Sequence, residues 1–347
     1  ITNVGVNTIY VYSPANASCP EAENSFTVTI NPPVMADAYE PDNTSVFNEC
    51  GPTHHVSALP AMGNGTWTQQ SGPGVLFFET NANDYDQDLS VTQYGTYVFR
   101  WTVDNGVCSD FDEITVNFYE YATSSEAGPH IEQCSNPNFV MAANTPVVGT
   151  GEWTQEIGPP VTITDVYDPL TTVTGVPFDQ VIVLRWTITN GSCSRFDDVG
   201  IINYQQPVAD AGPSIEQCSN PNFLMAANTP IVGTGEWTQI LGPPVTITDV
   251  NNPLTTVTGL PEGSIATLRW TITNGSCSNS NDDVTITNDI QPIINLDSTD
   301  ETCGLLPYVV NGISVNSYGS LNWLENGNGS FSDPTILNAE YIPDISD

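Results

Sequence analysis

The sequence contains no lysine. Its basic side chains are four arginines, Arg100, Arg185, Arg195 and Arg269, set against 40 acidic residues, for a formal net charge of −36 over 347 residues. The missing lysine rules out a lysine–asparagine isopeptide staple, a Schiff base and a P-loop. The charge repels nucleic acid and anionic membrane surfaces, so neither is expected as a partner, and it attracts cations. No apolar run is long enough to span a bilayer, and no secretory leader is visible. No segment keeps a helical period over three turns. Disorder is a poor reading, because 39% of residues are hydrophobic and their spacing is regular.

What is present is a repeated text. GTGEWTQILGPPVTITDVNNPLTTVTG runs from Gly233 to Gly259, and a lightly edited copy runs from Gly149 to Gly175. Looser versions begin at Gly63 and Gly319. The cysteines keep the same ruler. Cys50, Cys134, Cys218 and Cys303 are 84, 84 and 85 positions apart, and Cys108, Cys193 and Cys277 are 85 and 84 apart. A unit near 85 residues is too long for a solenoid repeat and suits a chain of small β domains.

Residues 1–35 read as the back half of a module, 36–120, 121–205 and 206–289 as whole modules, and 290–347 as the front of another. The sequence therefore reads as a piece of a longer array, with a partner for Cys19 expected upstream. In the third module the runs FLMA, GEWTQ, VTIT, TTVT, ATLRWTIT and DVTIT read as strands, with a short edge strand near Ile215. Alternation puts Leu268, Trp270 and Ile272 on one face and Thr267, Arg269 and Thr271 on the other, with the Trp face in the core beside Trp237. The expected fold is all-β: tandem immunoglobulin-like or PKD-like antiparallel β-sandwiches in an extended rod, each module adding about 35–40 Å.

Two cysteines per module and no metal-type C-x-x-C point to disulfides and an oxidising compartment. The expected pairs close each module on itself: Cys50–Cys108, Cys134–Cys193 and Cys218–Cys277.

Arg100, Arg185 and Arg269 each precede a core Trp, and the next strand opens with two acids: Asp112-Glu113, Asp197-Asp198 and Asp282-Asp283. Structural ion pairs to Asp112, Asp197 and Asp282 are expected. Asp84, Asp86 and Asp88 form a D-x-D-x-D run of the kind that wraps calcium, without the glycine and distal glutamate of an EF-hand. Acids at the module junctions, Asp37, Glu40, Glu126, Asp210, Asp297 and Asp300, raise calcium there too. His54 and His55 are adjacent and on a strand would face opposite ways, against a shared metal. Asn190-Gly191-Ser192 and its like read as hairpin turns before they read as glycosylation sites. No Ser/His/Asp set recurs among the modules, so no catalytic residue is nominated.

The strings ADAGPSIEQC, AANTPIVGTGEWTQ, VTITDVNNPLTTVTG and LRWTITNGSC resemble the PKD-like and immunoglobulin-like repeats of very large secreted proteins of Bacteroidota. Those arrays are typically exported by type IX secretion and include the SprB-type gliding adhesins. The W-x-F-G-D-G string of typical PKD domains is missing here. The resemblance implies an extracellular, cell-surface filament without enzymatic activity. Its expected partners are surface polysaccharide or solid substratum, the secretion and cell-surface machinery, and neighbouring modules of the same chain. The alternatives are a carbohydrate-binding or spacer array of a secreted hydrolase, or the subunit of a structural filament.

Overall fold

The computed structural model describes residues 4–14, 18–38, 45–59, 64–296, 299, 301–310, 313–317 and 319–345. Every regular element among them is a strand. No helix there is long and apolar enough to cross a membrane. The chain forms two compact units, Ile1–Ile131 with Pro137–Ile202, and Glu132–Asn136 with Asn203–Asp347.

Three sandwiches share one plan, an array of immunoglobulin-like modules. In the first, a four-stranded sheet runs in the order Val46–Cys50, Ser109–Tyr119, Gly95–Asp104, Asn64–Ser71. It faces a three-stranded sheet in the order Thr53–Ser57, Asp86–Val91, Leu76–Phe78. The second and third sandwiches repeat both orders. In the third, the seven strands are Ile215–Cys218, Asn222–Leu224, Thr234–Leu241, Thr246–Ile247, Thr256–Thr258, Ser264–Thr273 and Ser280–Asp289. These match the expected runs, including the short edge strand.

The alternation holds. Ala266, Leu268, Trp270 and Ile272 are buried, and the residues between them are not. The two tryptophans of each module lie directly opposite in register, Trp67 by Trp101, Trp153 by Trp186 and Trp237 by Trp270. Their ring centroids are 5.3, 5.1 and 5.1 Å apart. Buried aromatic pairs of this kind dominate small cores, each ring removing ~150–250 Å² from water. The second glycine of G-x-G-x-W is set by this pair. A Cβ on Gly65, Gly151 or Gly235 would lie 2.0–2.2 Å from Cζ2 of Trp101, Trp186 or Trp270, so only glycine fits.

The rest of the repeated text is also structural. A β-bulge follows the glutamine of W-T-Q, at Gln69, Gln155 and Gln239. That side chain clasps the next loop. Gln239 donates to the Pro243 carbonyl at 2.6 Å and accepts from the Val245 N–H at 3.1 Å. Gln155 makes the same pair with Pro159 and Val161.

One pairing departs from the all-antiparallel expectation. The first strand of a sandwich runs parallel to the last, Val46–Cys50 beside Thr115–Tyr119 and Ile215–Cys218 beside Ile286–Asp289. A module therefore begins and finishes at opposite ends of its sheet.

On either side of the three sandwiches the structure is slighter. Gly5–Ser13 pairs with Ala22–Ile30 as an exposed hairpin. Near the other end, Trp323 stacks on Phe331 at 5.6 Å, and Ala339 is buried.

Candidate functional site

The arginine row is built by strand alternation. Each arginine precedes a core Trp, so it points outward and meets the residue opposite it in register. That residue is the second acid of each doublet: Glu113 for Arg100, Asp198 for Arg185, Asp283 for Arg269. The pairs close at 2.6, 2.8 and 2.7 Å. Arg185 and Arg269 hold Asp198 and Asp283 below the usual carboxylate range. Arg100 and Arg185 also sit 3.9 Å over the rings of Phe111 and Phe196.

The expected partners Asp112, Asp197 and Asp282 are corrected accordingly. They lie opposite the core tryptophans, one residue out of step with the arginines. They hold the start of each module instead. Asp112 accepts from the Ala38 N–H at 2.9 Å, Asp197 from Ala127 at 2.8 Å and Asp282 from Ala211 at 2.7 Å. Each binds the last alanine of the [AS]-[DE]-A segment that opens the sandwich, a role the sequence reading missed.

The D-x-D-x-D run does not converge on an ion. Asp86 and Asp88 leave the same side of strand Asp86–Val91 and bracket the exposed His55 ring, at 2.9 Å to Nε2 and 2.8 Å to Nδ1. Asp84 turns to the Thr80 hydroxyl at 2.9 Å. No group of three or more His, Cys, Asp or Glu among the described residues is arranged to hold a metal ion. The hydrogen bond to Asp88 raises the His55 pKa above its ordinary value. His54 faces the other way, as adjacent strand residues must. It is 5% exposed, its Nδ1 meets Glu49 at 2.7 Å, and burial lowers its pKa. Phe47, Glu49, Thr53, His54, His55 and Asp88 line an open depression of about 370 Å³. Of the junction acids, Glu40, Asp297 and Asp300 lie outside the described residues. Asp210 accepts from the Gly212 N–H at 2.9 Å.

The most elaborate repeated arrangement is where one module gives way to the next. The first cysteine of a module is followed by a left-handed residue, Gly51, Ser135 or Ser219. Its N–H bonds the carbonyl at the end of the last strand, on Tyr119, Tyr204 or Asp289. Against that end packs an N-G-x-C turn. Asn105 donates to the Pro32 carbonyl, Asn190 to Glu120 and Asn274 to Gln205. The glycine lets an aromatic ring approach: a Cβ on Gly191 would lie 2.1 Å from the Tyr119 ring, and one on Gly275 2.3 Å from Tyr204.

The cysteines complete the joint. The structure contains Cys50–Cys193 and Cys134–Cys277, with Cα atoms 5.4 and 4.9 Å apart. Both run from the first cysteine of one module to the second cysteine of the next, 143 positions on. The expected pairs Cys50–Cys108, Cys134–Cys193 and Cys218–Cys277 are thus overturned, and Cys108 and Cys218 are thiols. The reason is the parallel first strand. Cys50 lies level with Tyr119, while Cys108 precedes Ser109 at the other end of that eleven-residue strand. A strand of that length spans about 35 Å, and a disulfide needs Cα atoms within about 7 Å. Closing a loop of 143 positions is worth about 5 kcal/mol in the chain-entropy model.

No family model and no curated protein sequence matches the chain. Among solved structures it is similar to extracellular domains 3–5 of Drosophila OTK, at 12% identity and a TM-score of 0.39, over 72% of this chain and 94% of that one. It is also similar to a three-domain I-band fragment of titin, at 13% identity and 0.35, over 75% and 99%. A third likeness is to the insect immune protein hemolin, at 12% identity and 0.30, over 82% and 81%.

Proposed function

We propose that this chain is a non-catalytic stalk segment of a large extracellular adhesin at a cell surface, of the kind its repeats resemble in SprB-type gliding adhesins. The observation that carries the reading is the joint. The paired cysteines, the N-G-x-C turn and the ring beneath it all serve to fix one sandwich to the next. Disulfides belong to an oxidising compartment, and a net charge of −36 keeps such an array soluble and apart from anionic surfaces. The partners proposed are surface polysaccharide or a solid substratum at the far end and the secretion and cell-surface machinery at the near end.

The test is an in-frame deletion of the array in the source cell, read as attachment and movement on polysaccharide-coated and bare glass. Reduced attachment or shortened reach with unchanged polymer hydrolysis supports the reading. Unchanged attachment with lost polymer hydrolysis overturns it in favour of a spacer within a secreted hydrolase.

A further inference from the structure

From the connectivity of the two disulfides we infer a second property, a covalent limit on extension. Cys50–Cys193 and Cys134–Cys277 enclose overlapping stretches of chain. The first bond fuses positions 50 and 193 into one node, and the second fuses 134 and 277 into another. Three segments then join the two nodes in parallel: 50–134, 134–193 and 193–277. A pull on the ends of the chain can separate the nodes only until the shortest segment is taut. That segment, 134–193, is 59 positions long and holds both core tryptophans of the second module, Trp153 and Trp186. The two flanking segments, of 84 positions each, stay slack. They carry the paired tryptophans of the first and third modules, Trp67 with Trp101 and Trp237 with Trp270, so those pairs are shielded from full extension while the bonds hold.

The magnitudes are set by chain geometry. An extended chain spans about 3.3–3.6 Å per residue, so 59 positions reach about 200 Å. Without either bond the stretch from 50 to 277 is 227 positions and reaches about 780 Å. With one bond the limiting path is 84 positions and about 290 Å, whichever bond is kept. The pair therefore restrains the region about fourfold, and the second bond contributes beyond the first because the loops overlap. Each bond opens by thiol–disulfide exchange. The Sγ–Sγ bond breaks, and the two cysteines take up two electrons and two protons from a dithiol, which closes to its own disulfide. The array is thus a tether whose stretch is set by the thiol balance around it.

This deepens the stalk reading and rests on it only for the source of the load. The experiment is single-molecule force extension of the whole chain, held by its two ends. Oxidised protein, the same molecules after dithiothreitol, and the variants Cys193→Ala and Cys134→Ala are compared. The expected result is a gain of about 580 Å in final extension on reduction, and of about 90 Å for each variant. Equal extension before and after reduction overturns the inference. So does a gain near 200 Å for the Cys134→Ala variant, which is the signature of bonds closed within single modules. In-situ reduction of the unmodified protein does not depend on the variants folding. Unchanged attachment of cells that lack the array, with the restraint intact in the isolated chain, counts against the stalk alone, and absence of the restraint counts against the tether alone.

Discussion

At the scale of residues, adjacent acids in one doublet have different duties. Asp198 is a surface partner of Arg185 with its side chain 39% exposed, and exposed pairs stabilise little. Asp197 binds a backbone N–H at the start of its module, and a charged acceptor lost there leaves a donor unpaired. Asp197→Ala is expected to cost about 1–2 kcal/mol in denaturant unfolding, and Asp198→Ala clearly less. An equal loss in both would reverse the assignment. The sequence showed the doublets and the arginines but not which acid met which partner. That depends on register, and a one-residue slip exchanges the faces.

The histidine pair makes opposite contributions with pH. His55 is raised above 6.5, so its stabilisation is complete below that value and is lost as pH rises through its folded pKa. His54 is lowered, so its contribution is complete above 6.5 and is lost as pH falls through its folded pKa. His55→Gln should therefore lower the melting temperature at pH 5.5 more than at pH 8.5, by an amount worth under about 1 kcal/mol for so exposed a group. The opposite ordering would place the charge elsewhere. That the two rings face apart was legible from strand alternation. That Asp86 and Asp88 bracket His55 was not, because it depends on the pairing of Thr53–Ser57 with Asp86–Val91.

Elements tell why the repeat recurs. The strand runs, the Trp faces and the turns were readable because a half-buried strand imposes a period of two and a small core needs its largest rings inside. The glycine beneath each Trp was present in the repeated text but had no stated reason until the cross-strand rings were in place. Gly151→Ala should cost about 1–3 kcal/mol through overpacking against Trp186. Gly175→Ala provides the contrast: it meets nothing within 4 Å and strains only through its φ of 78°. Calorimetry showing the smaller loss at Gly151 would contradict the packing account. The parallel first strand left no trace in composition, since a short edge strand looks alike in either direction.

For the whole molecule, the cysteine ruler is where sequence reasoning failed most usefully. A strict period fits pairing within modules as well as pairing between them, so spacing alone cannot choose. The choice needed the ends of the sheet, which the parallel strand places far apart. Peptide mapping without reduction should recover Cys50 with Cys193 and Cys134 with Cys277, while Cys108 and Cys218 take up an alkylating agent. Recovery of Cys50 with Cys108 would reject the pairing.

The overlapping loops also make the molecule tolerant of damage. Three stretches of backbone join the two cystines, so a protease that cuts any one of them, or any two, leaves both ends of the chain attached. Between positions 50 and 277, only a cut in each of 50–134, 134–193 and 193–277 separates them. An array nicked once there keeps its full mass on a non-reducing gel and falls apart only when reduced, so proteases can scar the stretch between the cystines before they sever it.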